Sequence, residues 1–214
     1  RDDNDIEVVQ GGVQAAFWPD PGWPMRIQAL WGDISQDSGV SRGSNDFNRT
    51  ALHLYLDEYR LAPEAWLAGR LTGEFFDDDE LVGGRVSAHY QWEDRSTVSA
   101  QAESESFWTI HDVRDPRQYP RVNNLALIEP DARINRVRGA FEWVPVAEQQ
   151  VRLQAGLAEY EDDDNEQVFA YAHYQLPILD SEAGKWTVLR PNLYYEHFAD
   201  STAAYYSPDV FVAV

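Results

Sequence analysis

Hydrophobic and polar residues alternate with a period of two along most of this chain. Between residues 82 and 92, the even positions hold Val, Gly, Ala, Tyr or Trp, whereas the odd positions from Arg85 onward are polar. Such alternation is typical of a β-strand whose two faces meet different environments. The pattern recurs in residues 25–31, 52–57, 67–75, 98–103, 137–143, 151–157, 167–176 and 189–196, and more weakly in residues 9–17 and 210–214.

The segments between these strands predict how the strands are connected. Short connections lie near residues 19–23, 61–64, 93–96, 145–148 and 177–184, whereas longer or more acidic ones lie near residues 35–48, 77–80, 111–132, 161–166 and 199–209. The two kinds tend to alternate, as they do in an up-and-down antiparallel sheet with tight turns at one end. Helical spacing fits less well, because the alternation continues through residues 63–69, where a helix could begin. The chain is therefore predicted to be all-β, with about eleven strands.

The alternation alone does not say whether the apolar face meets a protein core or lipid. Three features favour lipid. The alternating segments reach about ten residues, as tilted membrane strands do, whereas strands of globular sheets average about five or six. The apolar positions are rich in glycine and alanine, which are small for a packed core. Several apolar faces end in aromatic residues, which we interpret as anchors at the membrane interface: Trp31, Phe75, Tyr90, Trp92, Trp143 and Tyr195.

We therefore predict that residues 1–214 form a single domain, an antiparallel up-and-down transmembrane β-barrel of the bacterial outer membrane. Bacterial single-chain barrels have even strand numbers, so about eleven strands predict part of a larger barrel of about 16 strands. The alternative is a soluble β-domain whose apolar residues fill a core, because the same alternation fits both architectures.

The composition excludes several other classes of protein. The chain has 37 acidic and 17 basic residues, a formal net charge of -20, and no cysteine. Without cysteine it can form no disulfide and no thiol-based site. Its negative charge argues against nucleic acid as a partner and against docking on anionic lipid through a basic patch. A hydrophobic content of 43% argues against disorder, and no apolar stretch reaches the roughly 20 residues of a membrane helix.

The polar face of the predicted strands carries the candidate functional residues. In a membrane barrel this face lines the lumen. Amides and paired charges there would suit a strongly hydrogen-bonding polymer such as a polysaccharide. The alternative is that they form the solvated, salt-bridged wall of any wide barrel. The candidate lumen-lining residues are Arg26, Asp57, Arg70, Glu74, Arg85, His89, Gln101, Glu103, Arg138, Glu142, Arg152, His173, Arg190, Asn192 and Glu196.

Other polar groups give weaker signals. The acidic runs at residues 77–80 and 161–165 could suit calcium, but they lack the spaced ligands of an EF-hand, so we interpret them as solvated surface loops. Glu103 and Glu105 could form a glycosidase-like carboxylate pair, although such pairs arise by chance in an acidic chain. We expect no catalytic activity, no metal and no cofactor. Residues 111–132 are the best candidate for a plug or lid, and an ordinary surface loop is the alternative.

Two stretches near the end of the chain resemble a known family. The sequence RPNLYY at residues 190–195, followed by AAYYSPDVF at residues 203–211, resembles the C-terminal barrels of exopolysaccharide secretion proteins. These are the outer-membrane porins of the cellulose synthase and poly-N-acetylglucosamine export type. The run of residues 133–160 is also similar to these barrels. Members of the family carry a periplasmic helical-repeat region before the barrel, which this sequence does not contain.

The resemblance implies passive export of an exopolysaccharide through the lumen. The expected partners are the polysaccharide chain, outer-membrane lipid and lipopolysaccharide. The inner-membrane synthase machinery would be a further partner through a periplasmic region. The alternatives are another transport or structural barrel of the outer membrane, or a soluble β-domain that binds carbohydrate.

Overall fold

The computed structural model describes residues 5–38, 43–92, 95–110, 132–145, 149–161, 165–180, 186–199 and 210–213, and most of these lie in strands. The elements are β1 (Asp5–Phe17), β2 (Met25–Ser38), β3 (Gly43–Ala62), β4 (Ala65–Phe76), β5 (Glu80–Trp92), β6 (Ser96–Ser106), α1 (Phe107–Ile110), β7 (Arg133–Trp143), β8 (Gln150–Tyr160), β9 (Asn165–Asp180), β10 (Trp186–Leu189), β11 (Asn192–Phe198) and β12 (Val210–Ala213). Each strand from β1 to β9 is at least 11 residues long. Among the described residues, no helix has the length and apolarity of a membrane span.

The strands follow chain order across one antiparallel sheet. β10 and β11 together occupy one position beside β9, because Leu189 pairs with Leu176 and Asn192 pairs with His173 in the same register. Pro191 interrupts this position, since proline has no N–H to donate to the ladder. The sheet is therefore eleven positions wide. This confirms the predicted all-β, up-and-down antiparallel fold.

The two ends of the strands differ in the connections that they carry. The turn end carries the β1–β2, β3–β4, β5–β6, β7–β8 and β9–β10 connections. The loop end carries the β2–β3, β4–β5, β6–β7, β8–β9 and β11–β12 connections. The predicted long connection at residues 35–48 is wrong. β2 continues to Ser38 and β3 begins at Gly43, and these two residues pair with each other. The segment is rich in polar residues because most of it extends beyond the apolar band of the outer face, although Phe47 within it is buried on the inner face.

The turn prediction at residues 177–184 also began too early, because β9 continues to Asp180. The sequence signal there was Pro177, which lies where the β9–β10 register shifts and is tolerated at such an irregularity. The candidate plug at residues 111–132 lies outside the described residues except for Ala132. Residues 203–209 of the family-like motif and residues 162–164 of the second acidic run also lie outside the described residues.

The two faces of the sheet have inverted polarity. The outer face exposes its apolar side chains: Val82 is 67% exposed, Val86 54% and Leu153 47%. The inner face buries charged ones, and both Glu74 and Glu105 are 0% exposed. A soluble β-domain would show the opposite arrangement.

An apolar cluster packs against the inner face at the loop end. Its centre is α1, and its members are Ile34, Phe47, Phe76, Leu81, Phe107, Trp108, Ala132, Ile134, Ala158, Tyr160 and Phe198. Because these residues come from positions as far apart as β2 and β11, the sheet must curl around α1. The sequence did not predict this helix. Ser106 begins it, accepting a hydrogen bond on Oγ from the Thr109 N–H at 3.1 Å, as an N-cap residue does.

Among the described residues, β1 pairs only with β2 and β12 pairs only with β11, so the sheet is not closed. β1 and β12 occupy the first and eleventh positions of an alternating sheet and therefore run in the same direction. A direct pairing between them would be parallel. An all-antiparallel closure of this sheet would need an odd number of further strands.

Candidate functional site: the inner face of the sheet

The register places every predicted lumen-lining residue on the inner face. One row of directly paired positions runs through Arg26, Tyr55, Arg70, Arg85, Glu103 and Arg136 from β2 to β7. The remaining predicted residues lie in neighbouring rows of the same face: Asp57, Glu74, His89, Gln101, Arg138, Glu142, Arg152, His173, Arg190, Asn192 and Glu196. That these side chains line a channel remains a prediction.

A buried ion pair joins α1 to the wall at the loop end. Arg49 of β3 donates from Nε to Glu74 Oε1 at 2.7 Å, and its Nη2 contacts the same oxygen. Arg49 Nη2 also donates to Thr109 Oγ1 at 2.7 Å. The guanidinium therefore holds the helix against β3 and β4 and compensates the charge of a fully buried carboxylate.

A second buried pair spans three strands. Arg70 of β4 donates from Nε to Glu105 Oε1 of β6 at 2.7 Å, and Nη2 contacts the other oxygen of the carboxylate. Thr72 Oγ1 donates to Glu105 Oε1 at 3.0 Å, and His53 Nδ1 lies 3.0 Å from that hydroxyl. Two hydrogen bonds from one guanidinium fix the carboxylate in orientation as well as in place.

Gly83 of β5 makes this contact possible. It lies between Thr72 and Glu105 on the inner face and presents no side chain to obstruct them. A Cβ atom built on Gly83 would lie only 2.3 Å from the Ser104 carbonyl oxygen. The strands therefore approach each other at this position in a way that only glycine permits.

The third inner carboxylate is also held by an arginine. Glu103 is contacted by Arg136 Nε and accepts a hydrogen bond on Oε2 from Gln101 Nε2 at 2.8 Å. Arg138 Nη2 in turn donates to Gln101 Oε1 at 2.9 Å. Glu103 and Glu105, the candidate carboxylate pair, do share the inner face, but separate arginines engage them. Neither is poised as a free proton donor or acceptor.

At the β2 and β3 positions of the Arg70 row, and in the rows nearer the turn end, aromatic rings and arginines are partly open to solvent. Arg26 Nη2 donates to Asp57 Oδ1 at 2.9 Å, and its guanidinium carbon lies 4.1 Å from the Tyr55 ring centroid. The rings of Trp66 and His89 stack at 5.0 Å between centroids with an interplanar angle of 4°. Flat rings beside hydrogen-bonding groups are suited to a polymer with both apolar and hydroxyl-bearing surfaces.

The same half of the inner face has a row of hydrogen-bonding groups on β9 and β11, which Arg190 extends before β11 begins. Asn192 Oδ1 lies 2.6 Å from His173 Nδ1 and accepts a hydrogen bond from the Tyr171 hydroxyl at 2.8 Å. Arg190 donates from Nε to Gln175 Oε1 at 3.0 Å. These groups form a polar surface of amides, imidazole and phenol.

On the outer face, the predicted interface aromatics are all exposed: Trp31, Phe75, Tyr90, Trp92, Trp143 and Tyr195. Trp31 and Phe75 share a row near the loop end through Thr50, whereas Trp92 and Trp143 end their strands at the turn end. From Val82 to Trp92 the outer positions of β5 are apolar or glycine, which is about 33 Å along the strand at 3.3 Å per residue. At a tilt of about 45° this corresponds to a band about 23 Å high, close to that of outer-membrane barrels.

The apolar band has a defined edge at the loop end of β6 to β9. Four polar residues, Ser104, Asn135, Glu159 and Glu166, pair in one continuous row across these strands. Asn135 Nδ2 donates to Glu161 Oε1 at 2.7 Å just beyond this row. The outer face therefore changes from apolar to polar and acidic between two successive outer positions of each strand.

The sequence did not single out several inner residues that form ion pairs or buried hydrogen bonds. Arg49 and Arg136 form ion pairs, and hydrogen bonds are formed by His53, Thr72 and Gln167. Arg49 and Arg136 precede the segments in which we recognised alternation, because the strands begin earlier than the apolar pattern. Continuing the alternation of inner and outer positions beyond the apolar part of each strand would have found them.

The first acidic run has a structural contact. Asp77 accepts hydrogen bonds from the Asn48 N–H at 3.2 Å and from Asn48 Nδ2 at 2.9 Å. Within the described ranges, no group of three or more His, Asp or Glu residues could hold a metal ion.

Comparison with known proteins finds no matching family model and no matching curated sequence. Among solved structures, the fold is similar to that of a bacterial polysaccharide outer membrane secretin, with a TM-score of 0.63 and 17% sequence identity. The match covers 95% of this chain and 61% of the secretin chain, so this chain spans less than two thirds of that protein's length. At this identity the likeness shows a shared fold.

Proposed function

We propose that this chain forms the wall of an outer-membrane conduit through which an exopolysaccharide leaves the cell passively. One observation carries the proposal: the sheet exposes a continuous apolar band outward and buries its charged residues inward. The likeness to a polysaccharide outer membrane secretin supports the same conclusion.

The energetic argument concerns the outer face. Monomeric soluble proteins rarely expose contiguous apolar patches larger than a few hundred Å². Here exposed large apolar side chains occur on nearly every strand from β1 to β11. Transfer of each such side chain from water to hydrocarbon contributes about 1.5–3 kcal/mol at full burial. Lipid is the environment in which this face is stable, and the aromatic residues near its borders suit the membrane interface.

The inner face supports the polysaccharide as the transported polymer. Its turn-end half combines the stacked rings of Trp66 and His89 with the hydrogen-bonding groups of His173 and Asn192. Because arginines engage the buried carboxylates Glu74, Glu103 and Glu105, we propose that the wall guides the chain without reacting with it. Coupling to an inner-membrane synthase remains a prediction of the family resemblance.

A pair of arginine substitutions on β5 tests the membrane assignment. Val86 lies in the middle of the apolar band, whereas Gln91 of the same strand lies on the inner face. Val86→Arg should destabilise the chain folded in lipid vesicles by about 2–4 kcal/mol, as a charged residue at the bilayer midplane does. Gln91→Arg is the matched control and should have little effect. Urea titration with tryptophan fluorescence measures both.

The proposal fails if Val86→Arg and Gln91→Arg are equally stable, or if the chain stays folded and monodisperse without any amphiphile. Either result would favour the soluble, carbohydrate-binding β-domain. Conductance in planar bilayers then tests the conduit, in a barrel whose remaining strands close this sheet. Insertion without conductance would leave a structural barrel of the same membrane.

A further inference from the structure

Some arginines of the inner face form ion pairs with carboxylates, and others do not. Arg26, Arg49, Arg60, Arg70 and Arg136 each form an ion pair with a carboxylate. In the part of the chain that the structure describes, Arg85, Arg138 and Arg152 form none. Such cations are unexpected in a chain with 37 acidic and 17 basic residues.

Arg85, Arg138 and Arg152 form a diagonal strip along the inner face, the arginine strip. Arg85 of β5 lies in the row of Glu103 and Arg136. Arg138 of β7 lies one inner position closer to the turn end than Arg136. Arg152 of β8 lies two inner positions closer to the turn end than Arg138, where it pairs with Glu142. The four residues from Arg138 to Glu142 correspond to about 14 Å along the strand. The three arginines are therefore spread along the direction of the strands and do not form one compact site.

Hydrogen-bonding groups and carboxylates surround the strip, and Glu103 pairs in register with Arg85 but is bound by Arg136. Arg138 binds the amide of Gln101, and His173 pairs in register with Arg152. Glu142 is the carboxylate nearest in register to Arg152, but among the described side chains no ion pair joins the two. Inner arginines that form no ion pair favour an anionic ligand, because guanidinium and carboxylate match in geometry and charge.

We propose that the arginine strip binds the carboxylate groups of an anionic polysaccharide during its passage. This inference rests on the proposed function for the location of the strip inside a conduit, and it names the charge class of the polymer. Several arginines along one path would hold successive acidic sugar units weakly, so that the chain is selected but still moves. A neutral polymer would accept hydrogen bonds from these guanidinium groups but would gain no charge attraction.

The experiment measures oligosaccharide binding to the full chain folded in detergent micelles, by isothermal titration calorimetry. The probes are an oligogalacturonate, a malto-oligosaccharide of equal length and a chitosan oligomer, which carry negative, zero and positive charge. The oligogalacturonate should bind at least about tenfold more tightly than either of the others, and this preference should weaken in high salt.

Substitutions assign the binding to the strip. Arg138→Gln and Arg152→Gln should each weaken oligogalacturonate binding about fivefold, as expected for loss of one partly exposed charge contact. Glu142→Gln should strengthen it, because it removes the acidic group beside Arg152. Arg133→Gln is the matched control, since Arg133 lies on the outer face of the same strand as Arg138 and contacts Ser104 and Glu161. It should leave binding unchanged.

Equal binding of the three oligosaccharides, or equal loss in Arg138→Gln and Arg133→Gln, would overturn the inference. The proposed conduit would survive that result if Val86→Arg still disrupts folding in lipid and the chain conducts. Conversely, binding of oligogalacturonate by a chain that needs no amphiphile would remove the conduit and leave an anionic-carbohydrate-binding domain.

Discussion

The two halves of the inner face use similar residues in different ways. Near the loop end, Arg49 and Arg70 are almost fully buried and each is bound by a carboxylate that is 0% exposed. Toward the turn end, Arg138 and Arg152 lie on the same face and form no ion pair among the described residues. α1 and its aromatic cluster cover the first half only. The comparison shows that one alternating pattern can produce both a packed interior and an open wall, depending on what covers it.

The largest expected effect comes from breaking a buried pair while leaving the open arginines as the control. Arg70→Gln would leave Glu105 buried without its cation, and we expect a loss of about 3–5 kcal/mol of unfolding free energy. Arg138→Gln removes no ion pair and should cost less than about 1 kcal/mol. Urea titration in lipid vesicles measures both values. Similar losses would mean that the two halves do not differ as described.

The double variant Arg70→Gln with Glu105→Gln sharpens this test. Because it removes both charges, it should be more stable than Arg70→Gln alone. A double variant as unstable as the single one would show that the loss came from packing and not from the unpaired charge.

A smaller effect is expected where the strands approach each other beneath the buried pair. Gly83→Ala places a Cβ atom against the Ser104 carbonyl oxygen, and we expect a loss of about 2–3 kcal/mol. Gly73→Ala on β4 is the matched control, because its Cβ would meet nothing within 4 Å. It should change stability by less than about 0.5 kcal/mol. The same titration measures both, and equal losses would contradict the close approach.

The smallest effect concerns the helix that distinguishes the two halves. Ser106→Ala removes the hydrogen bond to the Thr109 N–H and should destabilise α1 by about 1 kcal/mol, a typical value for an N-cap. Ser99→Ala, on the same strand but in the open half, is the control. Amide hydrogen exchange should rise at Phe107–Ile110 in the first variant only. No difference between them would mean that Ser106 does not hold the helix.

The sequence predicted the parts of this fold that depend on periodicity. The alternation between Val86 and Ser87, repeated along each strand, was sufficient to assign both faces, because a strand has a fixed side-chain period of two. It placed the candidate lumen residues on one face and the exposed aromatics on the other. The up-and-down order also followed from the sequence, because tight and longer connections tend to alternate along the chain, as they do in such a sheet.

The remaining features depend on contacts between distant residues. The pairing of Arg70 with Glu105 requires the register of three strands, and a register cannot be obtained from the period alone. α1 has only 4 residues, too few for a helical period, and it is stabilised by burial of Phe107 and Trp108 inside the curled sheet. The polar hairpin of β2 and β3 resembled a loop, because strand pairing continues there with too few apolar residues to show the alternation.

The common direction of the first and last strands restricts how the wall can be completed. Identical copies placed side by side around a membrane normal all have the same orientation, so β12 of one copy would meet β1 of the next in parallel. Such a ring of copies would have a parallel seam at every junction. A wall with antiparallel neighbours throughout therefore requires strands of different sequence between these two edges, and self-association of this sheet alone does not supply them.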